Sequence, residues 1–80
     1  MSRHHNFNMK DSRIKILASN IKAERNRKGF TQSELSEYIN ISESSMSLIE
    51  RGIQTPSIFV VHDIARVLSI DINELLKDIP

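Results

Sequence analysis

The 80-residue chain contains no cysteine and no tryptophan, and it has only two glycines, two prolines, three phenylalanines and one tyrosine. Without cysteine there is neither a disulfide framework nor a thiolate metal site, which fits a reducing compartment. No stretch approaches the ~20 apolar residues of a membrane span, and the N-terminus is too polar for a signal peptide. We therefore expect one small cytoplasmic domain, with a stability on the order of 5 kcal/mol.

The residues that usually carry chemistry are scattered rather than grouped. His4 and His5 are adjacent, which makes them a poor chelating pair without a third ligand nearby. The sequence has no nucleophile–base pair, Gly-rich phosphate loop or clustered ligand set. We expect no enzymatic activity, no metal, no cofactor and no small-molecule ligand.

Residues 31–52, TQSELSEYINISESSMSLIERG, have the pattern of two short helices joined by a turn. Thr31 and Glu34 have the spacing of a capping box, in which each side chain bonds the other residue's backbone amide. Leu35 and Ile39 follow at i, i+4, so one face of the first of these helices is apolar.

The second helix of the pair follows a sharp turn. Asn40 tolerates the left-handed conformation that such a turn requires, and Ser42 is a good N-cap. Met46 and Ile49 should point inward, and Gly52 stands where a helix ends with positive φ. Two helices with such a turn form a helix-turn-helix, whose second helix enters the DNA major groove.

The outward side of that second helix is short and mostly polar: Glu43, Ser44, Ser47, Leu48 and Arg51. One interpretation is that these side chains contact DNA. The alternative is the solvated face of an ordinary helical bundle, because a helical hairpin of this length is common.

Residues 1–11 show no hydrophobic period and are predicted to be a flexible arm, followed by a domain over residues 12–80. The domain's first helix is capped by Asp11 or Ser12, and its apolar stripe is Ile14, Leu17, Ala18 and Ile21. Arg25 continues that stripe. An unpaired buried cation costs several kcal/mol, so Arg25 needs a partner, and Glu50 beside Ile49 is the obvious candidate.

Two further helices complete an all-α, five-helix domain. The fourth is capped by Thr55 or Ser57, and His62 and Asp63 should lie on its surface. Its predicted core stripe is Ile58, Val61, Ile64, Ala65 and Leu68. Asp71 and Glu74 have capping-box spacing and predict a last helix running through Ile79. The C-terminal end carries more apolar groups than a monomer of this size needs, which predicts a dimer surface, although all could fill the core: Ile70, Ile72, Leu75, Leu76 and Ile79.

Charge is distributed unevenly along the chain. Residues 1–30 hold eight Lys or Arg and two acidic residues, a net of +6, whereas residues 31–80 hold three basic and eight acidic residues, a net of −5. The basic half is suited to lie toward phosphates. These charges are equally consistent with ordinary solvated helix surfaces.

The stretch from Leu17 to Leu76 resembles the lambda-repressor-like, Xre or Cro/C1-type helix-turn-helix family. No single element is specific, but the ordered set is: Ile21, Arg25, Gly29, Phe30-Thr31-Gln32, Leu35, Ile49-Glu50-Arg51-Gly52, Pro56-Ser57, Leu68 and Leu75-Leu76. The resemblance implies a small all-helical domain that binds double-stranded operator DNA as a homodimer and regulates transcription as a repressor or controller.

The resemblance also implies roles for individual residues. Arg25 and Glu50 match a buried ion pair, and Gln32 matches a residue that touches the DNA backbone and braces the first base contact. The DNA-binding set it implies is Gln32, Ser33, Glu43, Ser44, Ser47, Leu48, Arg51, Gln54 and Thr55.

One departure weakens the transfer of function. The side chains expected to face base edges include no Arg, Gln or Asn, which make the strong bidentate base contacts. We therefore expect modest sequence specificity, helped by DNA shape and by two-fold symmetry. An alternative from another class is a protein-interaction module on the same fold, such as an antitoxin or anti-repressor.

Overall fold

The computed structural model describes residues 11–80, and this part of the chain is all-helical. It forms five helices, as predicted: α1 (Ser12–Arg27), α2 (Gln32–Tyr38), α3 (Glu43–Glu50), α4 (Ile58–Leu68) and α5 (Asn73–Leu76). The predicted arm lies outside the described residues, apart from Asp11. No helix between residues 11 and 80 is long and apolar enough to cross a membrane.

The two candidates for the N-cap of α1 are now distinguished. Asp11 is the cap: its Oδ1 accepts a hydrogen bond from the backbone N–H of Arg13 at 2.9 Å, whereas Ser12 is the first helical residue. The helix ends at Arg27 with Lys28 as its C-cap, and Gly29 follows with φ of +80°, a conformation that glycine adopts without steric cost.

Caps and turns of the central pair agree with the sequence pattern. The Thr31 hydroxyl accepts from the Glu34 amide at 3.0 Å, and the Glu34 carboxylate accepts from the Thr31 amide at 2.8 Å. Asn40 has φ of +60°, and the Ser42 hydroxyl caps α3 by accepting from the Ser45 amide at 3.0 Å. Each boundary is therefore set by a local side-chain or backbone preference.

The core lies where α1 meets α3, α4 and α5, and where α2 meets α3 and α4. Every helix contributes at least one buried apolar side chain. The core residues are Ile21, Leu35, Ile39, Met46, Ile49, Val61, Ile64, Ala65, Leu68 and Leu75.

The C-terminal part departs from prediction. A helix from Asp71 through Ile79 is wrong, because α5 spans only four residues. The Asp71 carboxylate accepts from the Asn73 amide at 2.8 Å, two residues ahead, so it forms a tight turn instead of the predicted capping box with Glu74.

The short length of α5 has a tertiary cause. The side-chain amide of Asn20 on α1 donates to the backbone carbonyls of Leu75 and Lys77, both at 2.9 Å. These carbonyls therefore accept hydrogen bonds from α1 instead of from the backbone amides of a longer α5. Asp78, with φ of +67°, then turns the chain away from the direction of the helix.

The predicted dimer surface is also partly wrong. Leu75 is fully buried within its own chain because α5 packs on α1, so it is not available to a partner. Ile70 and Ile72 are half-buried against the core, and Ile79 is half-buried as well. Leu76 is 39% exposed. A dimer role for these four residues stays a prediction.

Asp11 provides a pH test of the α1 cap. Its side-chain hydrogen bonds from Arg13, reinforced by the Arg13 backbone N–H, lower the Asp11 pKa from 3.8 to about 2. Because the pKa is lower in the folded state, the cap's contribution is fully present above about pH 4 and is lost as the pH falls toward 2. An NMR titration that follows the Asp11 carboxyl carbon should give a midpoint near pH 2.

Arg13→Ala supplies the control for the Asp11 titration. It removes the largest cause of the shift and leaves the backbone N–H in place, so the Asp11 midpoint should move back toward 3.8. An unchanged midpoint in this variant would contradict the assigned cause.

Candidate nucleic-acid interface

The α2–α3 turn fixes the angle between the two central helices. The Asn40 amide donates to the Glu37 carbonyl at 3.2 Å, and the Ile41 amide donates to the Ser36 carbonyl at 3.0 Å. Behind α3, Met46 is fully buried and Ile49 is 2% exposed, as the spacing predicts. The inner side of α3 is therefore held by the core.

The predicted ion pair between Arg25 and Glu50 is present and buried. Arg25 Nε lies 2.6 Å from Glu50 Oε2, and Arg25 Nη2 lies 3.0 Å from Glu50 Oε1. The third Arg25 nitrogen, Nη1, donates to the Phe30 carbonyl at 2.6 Å. One guanidinium thus joins α1 to the end of α3 and to the loop before α2.

Gln32 joins the same network from α2. Its Nε2 donates to Glu50 Oε1 at 3.0 Å, so that oxygen accepts from both Gln32 and Arg25. The contact holds the half-buried Gln32 side chain at the C-terminal end of α3, rather than beside Glu43 at the N-terminal end. One Nε2 hydrogen and the Oε1 oxygen are left for other partners.

The outer side of α3 faces solvent. Glu43 and Ser44 in its first turn are exposed, Ser47 and Leu48 are half-buried, and Arg51 beyond its last turn is exposed. The face therefore presents a carboxylate, two hydroxyls and an apolar side chain on a helix anchored from behind. Its geometry fits insertion into a groove about as wide as one helix.

The segment after α3 folds back on that helix. The amides of Ile53 and Gln54 both donate to the Leu48 carbonyl, at 2.9 and 3.2 Å. Gln54 is half-buried and Thr55 is exposed beside it. Ser33, the remaining predicted residue, is exposed in the first turn of α2.

Lys15 was missed by sequence reasoning. Its Nζ donates to the backbone carbonyl of Arg51 at 3.5 Å, and its stem lies against Gly52. This places a second cation beside Arg51 at the end of α3. The two residues are 36 positions apart, so no local pattern signals the contact.

The part of the chain that the structure describes contains no candidate metal site. Between residues 11 and 80 there is no group of three or more His, Cys, Asp or Glu side chains placed to hold an ion. The adjacent pair His4 and His5 lies outside these residues.

Comparison with known proteins gives one family. A family model described as "Helix-turn-helix" matches residues 21–75. The HTH-type transcriptional regulator SinR of Bacillus licheniformis is 36% identical over 64 residues, which is 79% of this chain and 58% of SinR. YazB of Bacillus subtilis (strain 168), an uncharacterized HTH-type transcriptional regulator, is 40% identical over 60 residues, covering 75% of this chain and 87% of YazB.

Solved structures agree with this comparison. SinR, in a crystal structure with DNA, superimposes with a TM-score of 0.70 at 37% identity, over 76% of this chain and 98% of that chain. The restriction-modification controller protein C.AhdI from Aeromonas hydrophila gives a TM-score of 0.76 at 23% identity, covering 80% of this chain and 97% of that one, which shows a shared fold. The chain spans 58% of the length of the SinR relatives that it matches.

Arg25→Ala tests the buried pair. The substitution leaves the Glu50 carboxylate buried without its charged partner, so we expect the free energy of unfolding to fall by roughly 3–5 kcal/mol. Urea denaturation measures the loss.

Lys77→Ala is the matched control for Arg25→Ala. Lys77 Nζ forms an exposed pair with Glu74 Oε1 at 3.7 Å, and its loss should cost about 0.5 kcal/mol or less. Equal effects of the two substitutions would show that Arg25 and Glu50 do not stabilise the fold as a buried pair.

Proposed function

We propose that this chain, which belongs to the Cro/C1-type helix-turn-helix family, is a DNA-binding transcriptional regulator. The observation that carries the proposal is the contrast between the two sides of α3. Met46 and Ile49 are buried behind the helix, while Glu43 and Ser44 are exposed in front of it. The relative SinR, whose structure includes DNA, supports the same function.

The chemistry of the outer side of α3 suits weak base reading. Glu43 can accept a hydrogen bond from a cytosine amino group, and Ser44 and Ser47 can bond any base. Leu48 can contact a thymine methyl group. The sequence specificity of one domain is therefore modest, and it depends on DNA shape and on how many half-sites are bound at once.

Phosphate contacts come from the margins of α3 in this proposal. Arg51 and Lys15 place two cations at its C-terminal end. Gln32, held by Glu50, and the neighbouring Ser33 supply polar groups from α2. Such contacts fix the register of the protein on the duplex, while the base contacts select the sequence.

Two copies are expected to act together. One small domain makes few phosphate contacts, so tight binding requires a homodimer on a two-fold symmetric operator with half-site centres about 34 Å apart. We propose that the protein acts in this form as a cytoplasmic repressor or controller. Gln54 and Thr55 then lie along the sugar–phosphate backbone.

A protein-interaction module is the second candidate. The observation that favours it is the net charge of −5 over residues 31–80, which includes all of α2 and α3. Acidic surfaces oppose approach to DNA phosphates. In this alternative the α3 face contacts a protein partner instead of a duplex.

Salt dependence separates the two functions. Titration of a mixed-sequence duplex at increasing salt should give a log–log slope of about −0.9 for each phosphate neutralised. Several contacts predict a steep decline in affinity. A flat response, or no binding at low salt, would favour the interaction module. Selection from a random duplex pool then gives the operator and its half-site spacing.

Ser44→Asp tests the position of α3 on DNA. Ser44 is exposed, so a carboxylate there leaves the fold intact but faces the duplex, and affinity should fall at least tenfold on all sequences. Fluorescence anisotropy at fixed salt measures the change.

Ser69→Asp is the control for Ser44→Asp. It adds the same charge at an exposed serine just after α4, at φ of +56°, which Asp tolerates. Affinity should change little. A loss as large as that of Ser44→Asp would mean that net charge, and not position on α3, controls binding.

A further inference from the structure

The most exposed large apolar side chain between residues 11 and 80 lies on the outward side of α4. Phe59 is 76% exposed and Ile58 is 63% exposed, more than most other large apolar side chains that the structure describes. They share this side with His62, Asp63 and Arg66, since these positions recur at helical spacing. We name this set of five residues the α4 outer face.

The opposite side of α4 packs in the hydrophobic core. Four residues of the predicted core stripe are buried: Val61, Ile64, Ala65 and Leu68. The prediction that Ile58 belongs to this stripe is wrong, because Ile58 is the first residue of α4 and projects beyond the core. The exposure of Ile58 and Phe59 therefore does not come from loose packing of α4. Two adjacent large apolar side chains in water form a patch as large as the largest on many monomeric proteins, and such patches are often functional.

Charge on the α4 outer face indicates what covers it. Its N-terminal end is apolar, whereas its C-terminal half carries Asp63 and Arg66, whose side chains lie 4.0 Å apart. If a two-fold axis passed near residues 62 and 63, the two α4 helices would run antiparallel and Phe59 of each copy would meet Arg66 of the other. An arginine stem packs on apolar side chains, and its guanidinium stacks on aromatic rings.

The same arrangement would pair the central charges. His62 of one copy would lie beside Asp63 of the other, and Asp63 is the residue that His62 contacts within its own chain, at 3.4 Å between Nδ1 and Oδ1. Each end of the face thus complements the opposite end of an identical face. That is the requirement for an isologous dimer.

The apolar area sets the strength of the contact. Phe59 and Ile58 together offer roughly 300 Å² per copy, against about 800 Å² per partner in stable complexes. A dimer through this face alone would therefore be weak in solution and would be completed when both copies bind one duplex. This inference rests on the proposed function, in which two copies share an operator.

We propose that the α4 outer face, and not the C-terminal end of the chain, is the surface through which two copies of this protein pair. Ile58 and Phe59 form its apolar part. His62, Asp63 and Arg66 fix the antiparallel register.

Cross-linking tests the pairing surface directly, because the chain has no cysteine of its own. Asp63→Cys gives up one of the polar contacts of the α4 outer face but keeps Phe59 and Arg66, and it places one thiol per copy next to the two-fold axis, so a short bifunctional maleimide should join two copies. Glu37→Cys puts a thiol at an exposed position of α2 and should give little product. Equal yields from the two variants would overturn pairing through the α4 outer face.

Sedimentation of the complete chain tests the surface. Phe59→Ser should raise the dimer dissociation constant at least tenfold with an unchanged thermal midpoint, because Phe59 is 76% exposed. Tyr38→Ser removes another aromatic side chain of similar exposure, 68%, from α2 and should leave dimerisation unchanged. If Leu76→Ser weakens the dimer and Phe59→Ser does not, pairing occurs at the C-terminal end and the inference fails.

DNA binding distinguishes failure of this inference from failure of the proposed function. Phe59→Ser should lose affinity for a duplex with two half-sites and keep the affinity of the unsubstituted protein for a single half-site. If Phe59→Ser and the unsubstituted protein bind the two-half-site duplex with equal affinity, the α4 outer face is not the pairing surface. Loss of binding to both duplexes also contradicts it, since Phe59 then contacts DNA. If the unsubstituted protein does not bind DNA, the proposed function is rejected. The cross-linking experiment then still tests whether two copies pair through the α4 outer face.

Discussion

The arrangement of the first three helices depends on one buried guanidinium. Arg25 directs three nitrogens at three acceptors, two on Glu50 and one on the Phe30 backbone. Removing either charge leaves the other desolvated without compensation, so helices α1 and α3 are held in one relative position. Gln32 adds α2 to the same network through Glu50.

This network has a functional consequence. The core of an 80-residue chain is small, and apolar packing tolerates shifts more readily than hydrogen bonds of fixed direction do. A directional contact at the C-terminal end of α3 complements the apolar contacts of Met46 and Ile49 behind it. The outer side of α3 is thereby presented at a defined angle, as the proposed recognition of a duplex requires.

The fold and most of the candidate interface were predictable because their signals are local. Capping at Thr31 and Ser42, and the left-handed turn at Asn40, each depend on a few neighbouring residues. The family resemblance was confirmed by the match over residues 21–75. The end of α5 was not predictable in this way, since Asn20 bonds its carbonyls from 55 and 57 positions away.

By itself the sequence determined the number of helices, the caps of α2 and α3, the inward side of α3 and the pairing of Arg25 with Glu50. Periodicity and capping act within one or two turns, and a charge on an apolar stripe demands a partner. Only the tertiary structure decided that Lys15 lies beside Arg51, that Leu75 is buried and that Phe59 is exposed. These depend on which helices pack together, and the spacing of apolar residues along one helix carries no information about its neighbour.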